Sequence, residues 1–257
     1  MKIKKLKKLN SGKYKIEFEN GEHFSTYDDV ILKNQLLFHK EVNQKEMREL
    51  MKDTDYFNIY NKMLKKISIK LRSEKEIKKE LAREQISEQE TNSILKKLKE
   101  NGFINDLNFA KAYVNDKVYL SNEGPYKIRK GLVDNSIKEE WIEEAMSSIE
   151  PKQIEEKLTK IITKKMKLNH KHSNYMLKQK LLMELSANGF SKEMISDIFD
   201  FCCSSNDNVL EKEIDRVYIK LSKKYQGLEL SKKVKEKLYQ KGFTITEIDS
   251  ILKEKGL

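Results

Sequence analysis

The amino-acid sequence predicts an all-α protein in which four tandem three-helix bundles form an elongated array behind a small β-rich N-terminal segment. The first observation is that its 257 residues include only nine Gly and two Pro, too few for the many turns of a large β-sandwich or barrel. The second is that 36% of the residues are charged, with Lys, Glu and Leu prominent, as in helix-rich proteins. The third is an apolar pattern that recurs four times.

The N-terminal segment, residues 1–52, carries a strand pattern. Tyr14, Ile16 and Phe18 alternate with polar residues, and Asn20-Gly21 stands as a turn before a second extended stretch. Alternation on both sides of an Asn-Gly pair is typical of a β-hairpin. The basic residues before the hairpin are expected to add a third strand.

Helix start signals follow the hairpin. Asp28 or Asp29 can cap a short helix that ends at Gln35, and Asn43 can cap a second one that ends at Met51. Serine or threonine followed three residues later by glutamate forms a capping box. Three such boxes occur later in the chain, at Ser73, Ser87 and Thr244.

The recurring apolar pattern is centred on a leucine. An apolar residue precedes each leucine by four positions, an Ile or Phe follows it by five, and an apolar pair stands eight and nine residues further on. The leucines lie 51, 53 and 53 residues apart: Leu81, Leu132, Leu185 and Leu238. Because positions four apart share a helix face, each copy predicts a helix, a break and a second helix. An apolar-periodic stretch before each copy supplies a third helix, so the predicted modules are residues 53–103, 104–150, 151–203 and 204–257.

No residue pattern indicates an enzyme. The sequence has no Gly-rich phosphate loop, no HExxH and no GxSxG, so we expect neither catalytic residues nor a cofactor. Cys202 and Cys203 are adjacent and lack disulfide or zinc spacing, while His170 and His172 lack a third metal ligand. No apolar run approaches the roughly 18 residues of a membrane span, and no apolar stretch typical of a signal peptide follows the basic start. We therefore expect a cytoplasmic monomer without a metal ion or a membrane contact.

Basic residues outnumber acidic ones, but one segment has the opposite balance. The chain has 52 Lys and Arg against 41 Asp and Glu, a net charge of +11, and only five of the 52 are Arg. AT-rich coding DNA produces such lysine richness without selection for binding, so most of these lysines are interpreted as solvated. Residues 104–150 carry six basic and nine acidic residues. One acidic module in a basic chain indicates that the protein makes two kinds of contact, and does not bind one polyanion along its whole length.

Three clusters of basic residues are candidates for nucleic-acid binding. Helical steps of four residues align Lys62, Lys66 and Lys70. The candidates are Lys62, Lys66, Lys70 and Arg72, then Lys127, Arg129 and Lys130, then Lys164, Lys165, Lys167 and Lys171. Such stripes can follow a phosphate backbone with salt-sensitive affinity, and the lack of interleaved aromatic residues predicts weak, sequence-tolerant binding. On the acidic module, Glu140 and Glu144 share a helix face and are candidates for contact with a basic protein surface.

Several of these segments resemble the RecX regulatory proteins of bacteria. In order and spacing they match the family pattern, strongly over residues 60–140 and elsewhere through the repeat architecture. The segments are Arg72–Leu81, Leu98–Asp106, Phe109–Val114 and Gly124–Ile128, with Leu132 and Ile137. One position departs from the pattern, because Ser136 stands where the family usually has Gly. Four modules behind a β-rich segment resemble the longer members of the family.

The resemblance implies a modulator that has no active site. Proteins of this family bind the RecA recombinase filament on single-stranded DNA and block its growth or promote its disassembly. They thereby damp strand exchange, ATP hydrolysis and coprotease activity, which implies roles in DNA recombination, DNA repair and the SOS response. Two other interpretations stay open: a sequence-independent nucleic-acid-binding helical-repeat protein that acts alone, and a protein-binding scaffold whose charge reflects genomic bias. The motif match favours the recombinase modulator.

Overall fold

The structure is a computed structural model that describes residues 1–38, 41–169, 173–203 and 209–254. Thirteen α-helices and one three-stranded sheet lie within these ranges. A mostly helical protein with a small β-rich N-terminal segment is thereby confirmed. The chain divides into two compact units, residues 1–109 and 110–257, and each buries apolar side chains of its own. Within the described ranges, no helix combines the length and the apolar character that crossing a membrane requires.

The sheet of the first unit is an antiparallel meander. Its strands are β1 (Ile3–Lys8), β2 (Tyr14–Phe18) and β3 (His23–Thr26), and β2 lies in the middle. Gly21 in the β2–β3 turn has a φ of 87°, a backbone conformation that glycine adopts without steric cost. The predicted hairpin and its third strand are both confirmed. Ile16 and Phe18 are buried on the face of the sheet that packs against helices.

One long helix replaces two predicted ones. After α1 (Asp28–Lys33), helix α2 runs without interruption over Gln44–Ile69. The predicted N-cap at Asn43 is present and forms a capping box with Glu46, but the predicted helix end at Met51 is wrong. No Gly or Pro interrupts the chain there, and the Thr54 hydroxyl donates to the Leu50 carbonyl at 2.7 Å inside the helix. The predicted boundary between residues 52 and 53 therefore falls within α2.

The remaining helices of the first unit begin at capping boxes. Ser73 caps α3 (Glu74–Leu81) and Ser87 caps α4 (Glu88–Glu100), each through a reciprocal bond with the glutamate three residues on. A short 3₁₀ helix separates α3 from α4. The next helix, α5 (Asp106–Leu120), begins in the first unit and continues into the second.

The second unit is entirely helical in its described residues. Proline occupies the first helical turn of both α6 and α8, where its missing N–H group leaves no hydrogen bond unmade. The helices after α5 are α6 (Pro125–Asp134), α7 (Glu139–Met146), α8 (Pro151–Lys167), α9 (Asn174–Ala187), α10 (Lys192–Cys203), α11 (Val209–Leu221), α12 (Gly227–Tyr239) and α13 (Ile245–Glu254).

The four recurring leucines are all buried, with 1% or less of their surface exposed. They lie in α3, α6, α9 and α12. Four residues after each leucine the backbone is left-handed, at Gln85, Ser136, Gly189 and Gly242, with φ values of 55°, 58°, 90° and 88°. Such a residue ends a helix and turns the chain into the next one. The division into four bundles stays a prediction, although these turns recur at the predicted interval.

The residue that follows each left-handed turn in the second unit explains the Ile or Phe of the sequence pattern. Its N–H donates back to the leucine carbonyl: Ile137 to Leu132 at 3.2 Å, Phe190 to Leu185 at 3.0 Å and Phe243 to Leu238 at 3.3 Å. Each of these apolar side chains is buried. The bond and the buried side chain together form the Schellman end of a helix.

We expect Leu132→Ala and Leu185→Ala each to lower the free energy of unfolding by about 2–5 kcal/mol, because each removes buried methyl groups and leaves a cavity. The control is Leu120→Ala, since 82% of Leu120 is exposed and its truncation should change stability by less than about 0.5 kcal/mol. Urea denaturation of the full chain measures all three. A Leu132 variant as stable as the Leu120 variant would contradict the burial of the recurring leucines.

Candidate nucleic-acid interface

Most basic residues of the first cluster are neutralised by nearby carboxylates. Lys62 Nζ lies 2.7 Å from Glu84 Oε1, and Lys66 pairs with Glu80. Arg72 contacts Glu76 one helical turn further on, at 3.4 Å. These pairs join the end of α2 to α3 and the turn that follows it. Lys70, just after α2, is exposed and carries no ion pair among the described residues.

The second cluster lies on α6, and its arginine is engaged in the same way. Arg129 binds both Glu139 and Glu143 of α7, the latter at 2.6 Å. The hydrogen bond that Arg129 donates to Glu143 and the charge of Glu139 raise the pKa of the Arg129 guanidinium. The guanidinium therefore serves mainly to hold α6 to α7. Lys130 has no ion-pair partner in the part of the chain that the structure describes.

Lys127 and Lys130 line a groove of about 490 Å³ in the second unit. Tyr113 and Tyr126 line it with them, and most of the Tyr126 ring is exposed. The groove also carries the acidic residues Glu123 and Asp134. Aromatic side chains beside lysines are the combination that stacks bases and holds phosphates. This pairing was not predicted from the sequence, although Tyr126 and Lys130 stand four residues apart on one helix.

A close contact between two backbones forms one wall of the groove. The Gly124 N–H donates to the Asn188 carbonyl at 2.7 Å, and the Tyr126 N–H donates to the Gly189 carbonyl at 3.1 Å. A Cβ atom on Gly124 would stand 2.5 Å from the Gly189 carbonyl carbon. A Cβ atom on Gly189 would collide with the backbone N of Lys127. Only glycine at both positions allows the start of α6 to meet the end of α9.

A lysine from α8 fixes the loop that leads into this wall. Lys157 Nζ donates to the carbonyls of Lys117 at 2.9 Å and Glu123 at 2.7 Å. Burial lowers the pKa of Lys157, whereas a hydrogen bond to Glu123 raises the pKa of Lys117. The loop between α5 and α6 is therefore anchored from α8 as well as from α9.

The third cluster occupies the last turn of α8. Lys165 pairs with Glu184 of α9 at 2.9 Å, while Lys164 and Lys167 are exposed and carry no ion pair among the described residues. Positive charge is favourable beside the unsatisfied carbonyls of a helix C-terminus, which accounts for part of this cluster. Lys171 lies outside the described residues.

The acidic residues of α7 divide into two pairs. Glu139 and Glu143 bind Arg129, whereas Glu140 and Glu144 are exposed. Glu144 contacts Lys111 at 2.6 Å, and Glu140 lies 3.8 Å from Lys138. The two residues predicted to meet a protein partner are therefore accessible, though each has a lysine nearby.

The described residues contain no group of three or more His, Cys, Asp and Glu side chains that could hold a metal ion. His170 and His172 lie outside the described residues. Cys202 and Cys203 do not form disulfides, and both are half-buried at the end of α10. Burial raises the pKa of the Cys203 thiol, which disfavours the reactive thiolate.

The chain is similar to known regulatory proteins along its whole length. It is 29% identical over 259 residues to the protein named Regulatory protein RecX of Streptococcus pneumoniae strain Hungary19A-6, covering 99% of both chains. It is 28% identical to the protein of the same name from strain 70585, with the same coverage. No protein-family profile matches the chain.

Solved structures give the same result. A crystal structure of regulatory protein RecX superposes with a TM-score of 0.62 at 27% identity, covering 77% of this chain and 98% of that one. A crystal structure of RecX from Lactobacillus salivarius superposes with a TM-score of 0.52 at 28% identity, covering 58% of this chain and 96% of that one. The resemblance to the RecX family is confirmed.

We expect Gly189→Ala to destabilise the chain more than Gly227→Ala. Both glycines have positive φ, 90° and 55°, but no atom lies within 4 Å of a Cβ built on Gly227. Gly227→Ala should cost about 1–2 kcal/mol for its left-handed backbone, and Gly189→Ala a further ~1–3 kcal/mol for the collision with α6. Thermal unfolding of both variants measures the difference. Equal losses would show that the contact between Gly124 and Gly189 is not as tight as described.

Proposed function

We propose that this chain, similar along its whole length to the RecX regulatory proteins, is a negative regulator of the RecA recombinase. It binds the RecA filament on single-stranded DNA and inhibits filament growth, ATP hydrolysis, strand exchange and coprotease activity. The observation that carries the proposal is the similarity over 99% of both chains, because a match of that extent includes every helix rather than one motif. The setting is DNA recombination, DNA repair and the SOS response.

The distribution of charge supports contact with both components of a nucleoprotein filament. In the second unit, exposed lysines without ion pairs lie on α6 and α8, at Lys130, Lys164 and Lys167. Exposed carboxylates lie on a different helix, α7. Lysines bind phosphates, whereas carboxylates repel them and suit basic protein surface. A DNA-bound protein filament offers both kinds of surface to one ligand.

The recurring helix ends support a modular array as the means of binding. Four buried leucines, each followed by a left-handed turn, would define four three-helix modules of about fifty residues in series. Such modules can contact successive subunits of a filament without an active site. We therefore also propose a cytoplasmic monomer that is not an enzyme and requires no cofactor.

A second candidate function is sequence-independent nucleic-acid binding without the recombinase. The groove on α6 favours it, since Tyr126 offers a stacking surface beside Lys127 and Lys130. The carboxylates of Glu123 and Asp134 in the same groove weaken it. The two candidates differ in whether recombinase is needed for an effect.

We expect the full chain to inhibit the ATPase of RecA assembled on single-stranded DNA, with inhibition that rises with the ratio of this protein to RecA. Filament capping or disassembly reduces the number of active subunits, so inhibition should begin below equimolar ratio. ATP hydrolysis in a coupled assay is the measurement. No inhibition despite DNA binding would favour the stand-alone function.

In the same ATPase assay, the double variant Glu140→Lys with Glu144→Lys should inhibit RecA less than the parent protein does. Its affinity for bare single-stranded DNA, measured in a separate binding experiment, should be unchanged or slightly higher. The reason is that the reversal repels a basic protein surface and attracts phosphates. The matched control is Glu155→Lys with Glu156→Lys, an equal charge change at two exposed positions of α8. Inhibition equal to the parent's in the α7 variant at matched salt would remove α7 from the contact.

Lysines without ion pairs should account for more of the DNA affinity than paired ones. We expect Lys164→Gln with Lys167→Gln to reduce the slope of log affinity against log salt by about 0.7 per lysine. Lys62→Gln with Lys66→Gln should reduce the slope less, because these two lysines already form ion pairs with Glu84 and Glu80 and neutralise fewer phosphates. Fluorescence anisotropy with oligo(dT) over a salt series measures both slopes. A larger change for the Lys62 pair would contradict this assignment.

A further inference from the structure

The outward face of the N-terminal sheet is unusually basic. In β2, Ile16 and Phe18 point into the core, so Lys15 and Glu17 lie on the opposite face. The register then places Lys7 opposite Lys15 and Lys5 opposite Glu17 on that face. In β3, Ser25 and His23 stand opposite Lys15 and Glu17. We call the surface formed by Lys5, Lys7 and Lys15 the basic sheet face.

The strand pairing sets two like charges directly against each other. Lys7 and Lys15 are cross-strand partners, whose Cα atoms lie about 4.5–5.5 Å apart in an antiparallel ladder. Like charges in this position oppose folding. Of these two lysines, only Lys15 forms an ion pair with Glu17, at 3.1 Å between Lys15 Nζ and Glu17 Oε1. A ligand that brings negative charge would remove the repulsion.

An irregularity in β1 turns additional lysines outward. The register shifts between Ile3 and Lys5, as at a β-bulge, where one extra residue re-aims the side chains. Ile3 and Leu6 pack against the core, and Lys4 and Lys5 between them are both exposed. Regular alternation would have sent one of these two lysines inward. The local backbone therefore concentrates positive charge on the solvent side.

The face fits a phosphate backbone better than a protein surface. Along β1, Lys5 and Lys7 are separated by about 6.6 Å, two strand residues, so ammonium groups recur at short intervals. Protein interfaces need apolar or aromatic anchors at their centre, and the side chains of this face are lysines with Glu17, Ser25 and His23. Among the side chains of this face, His23 alone carries an aromatic ring, so base stacking should contribute little beside the contacts with phosphates.

We propose that the basic sheet face is a binding surface for the phosphate backbone of single-stranded DNA, separate from the lysines of α6 and α8. The proposal rests on the proposed function only for the choice of single-stranded DNA as the polyanion. The contact is electrostatic, tolerant of sequence and sensitive to salt. It adds a DNA contact in the first unit, where Lys62 and Lys66 are already neutralised.

The test uses the full chain and oligo(dT), with no recombinase present. Lys5→Gln, Lys7→Gln and Lys15→Gln together should reduce the salt slope of binding by roughly 1.4, about 0.7 for each of Lys5 and Lys7, with a smaller contribution from Lys15 because Glu17 already pairs with it. Affinity at low salt should fall roughly tenfold. The control is Lys45→Gln, Lys78→Gln and Lys79→Gln, an equal charge change at exposed lysines of α2 and α3, which should leave the slope near that of the parent. The sheet variant should unfold close to the temperature of the parent, because it removes the repulsion between Lys7 and Lys15 and the ion pair lost between Lys15 and Glu17 is a surface pair that contributes little to stability.

Three outcomes would overturn the proposal. An unchanged salt slope in the sheet variant would show that the basic sheet face does not contact DNA. Equal slope changes in the two triple variants would show that the effect comes from the net charge of the protein and not from this face. An unchanged DNA slope with weaker inhibition of the RecA ATPase would mean that the face contacts protein. Failure of the regulatory role is detected separately, because the parent protein would then not inhibit the ATPase whatever its affinity for DNA.

Discussion

The left-handed turn after each buried leucine is the constraint on which the helical part depends. A helix that ends in a Schellman motif directs the chain back across its own last turn, and a buried apolar side chain just beyond the turn keeps that direction. In this protein the residues are Leu132 with Ile137, Leu185 with Phe190 and Leu238 with Phe243. These three turns determine where α7, α10 and α13 begin, in that order. The position of the exposed carboxylates on α7 follows from the first of these turns.

Much of this arrangement could be predicted from the sequence because its signals are local. Capping boxes, proline in a first helical turn, an Asn-Gly hairpin and leucines at a regular interval each depend on a few neighbouring residues. The family's usual Gly at the position of Ser136 also has a physical meaning, since the backbone there has a φ of 58°. Serine tolerates that conformation at a cost of about 1–2 kcal/mol.

The parts that could not be predicted depend on residues far apart in the chain. Between Met51 and Tyr56, no residue type in the sequence distinguishes a helix break from a polar turn of a continuous helix. In the structure, Thr54 lies inside helix α2 and its hydroxyl forms a hydrogen bond with the Thr26 hydroxyl of β3, a contact between residues far apart in the sequence. The neutralisation of Lys66 by Glu80 and of Arg129 by Glu139 and Glu143 is equally invisible until helices are placed. All three basic clusters can be recognised in the sequence, but lysines that bind carboxylates cannot be told there from lysines that do not.

The contact between Gly124 and Gly189 has a consequence for how this chain can change over generations. The atoms that would obstruct a side chain at either position belong mainly to backbone, so no rotamer change elsewhere can make room. Solvated residues elsewhere on the helix surfaces can be exchanged for lysine without disturbing this contact. Surface charge can therefore drift widely while the way in which α6 meets α9 is preserved.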